Sequence, residues 1–260
     1  MKILAIASVL AAIVAGSAGA EPLRIGTSAD FPPWGYTNTA GDIVGFDREV
    51  GDEICKRIGA DCAWTNQSFD GLLASLQVGK FDLVISGLSI TAERAKQVDF
   101  SKAYADAPYH IATVKGGALA VAKTKAELEA ALEGKAIGVQ TGSTHEAVAN
   151  KYFKNADVRL YERNEQIADD LAAGRIDAGL LEQSVWEELM KAREGKLELA
   201  GPMLTSADYS EFGNGQGIAL KQGREELKAR VDKAIVDMIS DGTIGKISTK
   251  FFGYDLSFKG

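Results

Sequence analysis

The chain has 260 residues and a formal net charge of −7, with Lys and Arg spread among a larger number of acids. No basic run is present, which excludes the electrostatic footprint of a nucleic-acid binder. Two Cys and two His (His110 and His145) cannot build a convincing zinc centre, so neither a metal nor a cofactor is expected.

Met1-Lys2 is followed by an apolar run from Ile3 to Val14 and by small residues through Gly16 to Ala20. Ala18-Gly19-Ala20 before Glu21 has the small-x-small form of a cleavage site, so residues 1–20 read as a secretory signal peptide. The run is short of the roughly 20 apolar residues a membrane span needs. No Cys stands at the cleavage site to carry a lipid. The mature protein is expected to be exported, to the periplasm in a bacterium with an outer membrane. What remains suffices for one large domain or two small ones.

Leu23–Thr27 alternates and predicts a strand. It ends in a loop rich in aromatics and prolines, Ser28 to Trp34. Asp47 is placed to cap a helix whose Val50, Ile54 and Ile58 share one face. Cys55 and Cys62 flank the turn into a second strand at Ala63–Thr65. In an exported chain a pair so close favours a disulfide over a metal site. Phe69-Asp70-Gly71 opens another helix, which ends near Gly79.

Leu83-Val84-Ile85 is a short apolar run suited to a strand buried on both faces. It breaks into Ser86-Gly87-Leu88-Ser89-Ile90-Thr91, with Thr91 able to cap a new helix and Arg94 near its first turn. In open α/β sheets ligands bind off the carboxyl ends of strands. Small hydroxyls, free N–H groups and one guanidinium there form a natural carboxylate clamp. The plainer reading is a surface Arg on an ordinary helix.

Leu76–Asp82 echoes Leu171–Asp177, both reading L-x-x-G-basic-apolar-D, and the repeat predicts two related α/β lobes. In the second lobe the strand Ala136–Val139 leads through Gln140-Thr141-Gly142 into a helix, with Ser143 and Glu146 spaced as a capping box. Its N-terminus would suit an anion. Leu227, Val231, Ala234, Ile235 and Met238 form a helix stripe that reads as core, and a last short helix reaches Phe252.

As a set, Gly45-Phe46-Asp47, Cys55 and Cys62, Phe69-Asp70, Ser89-Ile90-Thr91 with Arg94, Gly142-Ser143-Thr144, Gly174-Arg175-Ile176-Asp177 and Asp241-Gly242-Thr243 carry a resemblance. The chain resembles the periplasmic solute-binding proteins of ABC amino-acid importers, nearest to the lysine/arginine/ornithine, histidine and opine-binding group. The resemblance implies a two-lobed, type II periplasmic-binding-protein fold of the α/β class with a ligand cleft between the lobes. Lobe 1 would be residues 21–106 and 212–260, and lobe 2 residues 107–211. Hinges would fall near Tyr104–Asp106 and Phe212–Gln216. It also implies a monomer that takes an amino-acid ligand and delivers it to an inner-membrane permease.

Carried over residue by residue, Arg94 would clamp the ligand α-carboxylate. Ser86, Gly87, Ser89, Thr141, Ser143 and Thr144 would assist from hydroxyls and backbone. Glu182 stands where the group places an acid for the α-ammonium, and Phe31 and Phe69 match the aromatic walls. His145 falls where a polar side chain lines the pocket, although a solvent-facing position in the first helical turn would also fit. Ser28 replaces the acid that pairs with a distal cation in basic-amino-acid binders, and Asp30 does not align with that acid. A buried cation without an anion is poorly compensated, so the expected ligand is a polar or basic L-amino acid or a related opine, with a polar neutral amino acid or an opine favoured over simple lysine or arginine. The competing reading is an exported enzyme on this scaffold, such as a prephenate or arogenate dehydratase, for which Glu182 is the one obvious acid or base.

Overall fold

The computed structural model describes residues 22–260; the leader expected over residues 1–20 lies outside them. The first stretch contributes β1 (Leu23–Thr27), β2 (Asp30–Phe31), β3 (Gly35–Thr37), β4 (Ile43–Val44), α1 (Phe46–Arg57), β5 (Cys62–Asn66), α2 (Leu72–Gln77), β6 (Leu83–Val84) and β7 (Asp99–Phe100). A second set comes next: β8 (Tyr109–Val114), α3 (Lys125–Ala131), β9 (Ala136–Gln140), α4 (Thr144–Tyr152), β10 (Asp157–Tyr161), α5 (Asn164–Ala172), β11 (Ala178–Glu182), α6 (Gln183–Lys191) and β12 (Leu197–Leu204). The chain then returns through β13 (Ala219–Leu220), α7 (Glu225–Ser240) and α8 (Thr243–Phe252).

Two five-stranded sheets result, β5-β1-β6-β13-β7 and β10-β9-β11-β8-β12, with a small sheet β2-β3-β4 beside the first. In each, parallel strands are extended by antiparallel ones: β13 against β6 in the first sheet, β8 against β11 in the second. The buried strands β9 and β11 have no exposed residue and, up to their last residues Gln140 and Glu182, read as continuous apolar runs, as strands covered on both faces do. The two echoing segments occupy equivalent places, the passage from α2 to β6 and from α5 to β11. The architecture is the expected two-lobed α/β fold.

Helix α1 buries Phe46, Val50 and Ile54. Phe46 packs against Trp34 and Phe252 with ring centroids 5.4 and 5.1 Å apart. That cluster fixes the loop after β1 onto the lobe, and the first N–H groups of α1 complete it: Phe46 and Asp47 donate to the carbonyls of Pro33 and Trp34. Asp47 is therefore not the cap. Gly45 holds the N-cap position and Asp47 lies inside the helix, fully buried. Cys55, near the end of α1, is bonded to Cys62 at the start of β5.

Three other local expectations change in detail. β6 stops at Val84, although Ile85 N–H still bonds to Gly26. Thr91 Oγ1 accepts from Arg94 N–H at 3.2 Å, but it leads into one 3-10 turn, Arg94–Lys96, rather than a helix. Ser143 does cap α4, accepting from Glu146 N–H. The Glu146 carboxylate, however, reaches back to Gly142 N–H at 2.7 Å, one residue beyond the box.

The chain passes between the sheets twice, and the two passes lie side by side. Gln216 N–H donates to Ala105 O at 2.8 Å, and Tyr104 N–H donates to Gln216 O at 2.9 Å. The C-terminal segment joins them, with Asp106 N–H donating to Leu256 O and Phe258 N–H to Tyr104 O.

Candidate functional site

The carboxyl ends of β1, β6, β9 and β11 face one another across the gap between the lobes. Each is followed by polar or small residues: Ser28, Ser86-Gly87, Thr141-Gly142-Ser143 and Glu182-Gln183. A small, largely closed cavity lies there. Ser28, Phe31, Phe69, Ser86, Gly87, Ser89 and Arg94 line it from one lobe, and Ser143, Thr144, His145 and Glu182 from the other. Thr141 does not reach the cavity, because its hydroxyl donates to Tyr161 O. Gln140 takes that part of the wall; strand alternation sends its side chain inward, and its amide nitrogen donates to Glu162 O.

Arg94 is buried, with 9% of its surface exposed. One guanidinium nitrogen donates to Ser89 O at 3.0 Å, and another crosses to Gly142 O at 3.1 Å. The group lies over the Phe69 ring, 5.6 Å from its centroid. Burial lowers its pKa to about 10, while the Tyr109 and Glu182 charges work in the opposite direction. Among the described residues no carboxylate forms an ion pair with Arg94. A guanidinium has five N–H donors, so several remain for an incoming anion.

Glu182 is the last residue of β11 and is also buried. His145 Nε2 approaches its Oε2 at 3.3 Å. The contact is within ionic reach but not aligned as a hydrogen bond, and it leaves both atoms without a directed partner. His145 is 3% exposed, so it is a wall of the cavity and not a solvent-facing residue. Ser89 Oγ lies 3.2 Å from the hydroxyl of Tyr109, at the start of β8. Gly87 has φ +53°, and a Cβ there would meet the Phe31 ring at 2.8 Å, so the backbone passes close under that ring.

Two open clefts flank the cavity. One shares Phe69, Arg94, Ser143 and Thr144 with it. The other shares only Ser28, and continues along Asp30, Asn66, Glu162, Arg163 and Glu165. Arg94 and Ser28 thus mark opposite ends. At the Ser28 end, Ser28 N–H donates to Ser86 Oγ at 3.0 Å and Ser28 Oγ donates to Asp30 Oδ1 at 2.6 Å. Burial raises the Asp30 pKa, and the Ser28 hydroxyl and Arg163 partly offset that. The pairing of Asp30 and the inward turn of Gln140 are what sequence reasoning missed. Strand alternation in β9 carried a signal for Gln140; the path of the loop that turns Asp30 back on Ser28 left none.

An anchored cation at one side, a carboxylate across from it that faces His145 without a directed hydrogen bond, and aromatic walls between suit a small zwitterion. Comparison with known proteins agrees. The "Lysine/arginine/ornithine-binding periplasmic protein" of Escherichia coli is 36% identical over 240 residues, covering 91% of this chain and 89% of that protein. The "L-arginine-binding protein" of Pseudomonas aeruginosa is 35% identical over 263 residues, covering 98% of each. A solved structure, "An ancestral arginine-binding protein bound to arginine", superposes with a TM-score of 0.80 at 35% identity, covering 89% of this chain and 98% of that one. Residues 23–254 match the family as a whole, and the chain belongs to the bacterial extracellular solute-binding proteins, family 3.

Proposed function

We propose that the protein captures one L-amino acid outside the cytoplasm and delivers it to an ABC importer in the inner membrane. One observation carries this reading: a buried guanidinium and a buried carboxylate, neither ion-paired to the other, line the same small cavity from opposite lobes. Each is costly alone. A ligand with both an α-carboxylate and an α-ammonium compensates the two at once. Arg94 takes the carboxylate with help from Ser89, Ser143 and Thr144. Glu182 takes the ammonium, and Phe31 and Phe69 hold the side chain.

Residues 107–211 act as one lobe and 21–106 with 212–260 as the other, and the ligand closes them because its partners come from both. The protein works as a periplasmic monomer that docks on a permease. Binding is favoured over catalysis because Glu182, the obvious candidate for proton transfer, already faces His145 and serves as the ammonium partner. Calorimetric titration of ligand-free protein against the L-amino acids should give one tight site per chain without turnover. Arg94→Ala should weaken that site at least about a hundredfold, since a charge-assisted bidentate contact is lost. Near-native affinity in the variant would sink the assignment.

A further inference from the structure

Two side-chain atoms in the cavity wall sit side by side without directed partners. His145 is 3% exposed and Glu182 4%, and both line the cavity. The imidazole Nε2 stands 3.3 Å from Glu182 Oε2, yet among the described residues neither atom has a hydrogen bond, and Nδ1 has none either. A carboxylate offers lone pairs alone, and a neutral imidazole offers one lone pair and one N–H. With the ring proton on Nδ1, Nε2 and Oε2 are neighbouring acceptors, and an ammonium satisfies both. With a second proton on Nε2, the imidazolium pairs with Glu182 itself, and an arriving ammonium meets a like charge.

The groups around the pair leave this competition to the imidazole. Tyr109, on β8, faces the ring at 5.5 Å; burial holds its hydroxyl well above the usual tyrosine range, so it stays neutral. Phe212, 6.4 Å away, is apolar. Glu146, next along α4, is committed to Gly142 N–H at 2.7 Å. Arg94, across the cleft, acts on Glu182 through charge. Asp47, raised to about 7 by burial, also acts on Glu182 through charge, but its carboxylate is bonded to Gly87 and Tyr104. An imidazole is the side chain whose charge ordinarily changes between pH 5 and 8. His145 and Glu182 belong to α4 and β11, which pack on the same sheet, so the pair exists whether the lobes are apart or together.

We propose that His145 is a proton-gated partner of the ligand ammonium: the neutral imidazole accepts from the ammonium beside Glu182, and the protonated imidazole takes the ammonium's place on Glu182. The proposal rests on the amino-acid reading above and adds its regulation. Capture sends the Nε2 proton to solvent, and no bond of the ligand changes. The ligand binds the deprotonated form, so affinity is full above the titration of the imidazole. It falls by up to about tenfold for each pH unit below. Acid outside the cytoplasm therefore releases the ligand.

Titration calorimetry on the full mature chain with L-arginine and L-glutamine tests this. Affinity for each should be about tenfold weaker at about pH 5.5 than at about pH 7.5. Repeating the titration in two buffers of different ionisation heat counts protons: close to one released per ligand at the lower pH and close to none at the higher. His145→Gln keeps an acceptor that takes no proton, so its affinity should be flat across this range. Asp47→Asn should keep the wild-type slope. The proton count needs no variant, so it stands even where a variant folds poorly. Binding without proton release at the lower pH, or a wild-type slope retained by His145→Gln, overturns the proton gate while the amino-acid reading stands. Failure of these two and every other L-amino acid to bind at either pH overturns both.

Discussion

Asp47 shows how one side chain can be misread from its neighbours. Its position before an apolar stripe predicts a cap, yet its carboxylate accepts from Gly87 N–H at 2.6 Å and from Tyr104 hydroxyl at 2.7 Å. It therefore ties the cavity loop to a crossing strand. Burial raises its pKa to about 7 despite those two donors. The folded protein then holds a proton that the unfolded chain releases above about pH 4. Its contribution is complete below that value and is lost as pH rises toward 7, at up to about 1.4 kcal/mol per pH unit. Asp47→Asn should flatten the dependence of the urea midpoint on pH across this window, and an unchanged slope would mean the carboxyl is ionised in the folded state throughout. Glu182 was reached through the family resemblance, whereas Arg94 and the hydroxyls from Ser86 to Ser89 were legible because a strand end followed by polar residues marks a cleft. Asp47 and Asp30 were not, since their partners lie 40 and 57 residues away in the first case and depend on a loop reversal in the second.

At the level of elements, strands and helices matched their periodicity closely, because each buries a face set by its own sequence. What failed were junctions. The segment after Thr91 has cap chemistry but forms only one 3-10 turn, as Val98 and Phe100 are drawn into the core and β7 begins. The junction from α1 to β5 is instead held covalently. Cys55 and Cys62 close a loop with a sequence separation of 7, well away from the cavity. On the chain-entropy account such a link contributes roughly 2–3 kcal/mol. Reduction should lower the melting temperature by about 5–10 °C for a chain of this size and leave ligand affinity unchanged. A parallel loss of affinity would show that α1 transmits strain to the cleft.

On the scale of the whole molecule, the lobes meet through a few close approaches. Gly142 has φ +74°, and a Cβ there would lie 3.2 Å from Asp70 Cα in the other lobe. The cost of that backbone angle for a non-glycine residue acts whether the lobes are apart or together. The contact with Asp70 acts only when they meet. Gly142→Ala should therefore weaken ligand affinity by about tenfold, on the order of 1 kcal/mol of contact strain, and leave the liganded protein less compact in small-angle scattering. Native affinity and compactness would show that closure does not depend on this approach. The repeat of L-x-x-G-basic-apolar-D foretold two lobes, but their distance of approach was illegible, because it depends on which backbone atoms meet across a gap.

Trp34 spans that gap with a single bond. Its indole N–H donates to Ser184 Oγ at 3.1 Å, and the ring is fully buried. The other two indoles stay within one lobe each, Trp64 on Asp52 and Trp186 on His110 O. Parting the lobes would hydrate Trp34 alone among the three, so its emission should move to the red while the others stay still. The protein thus carries an intrinsic optical gauge of its own opening, read without a label.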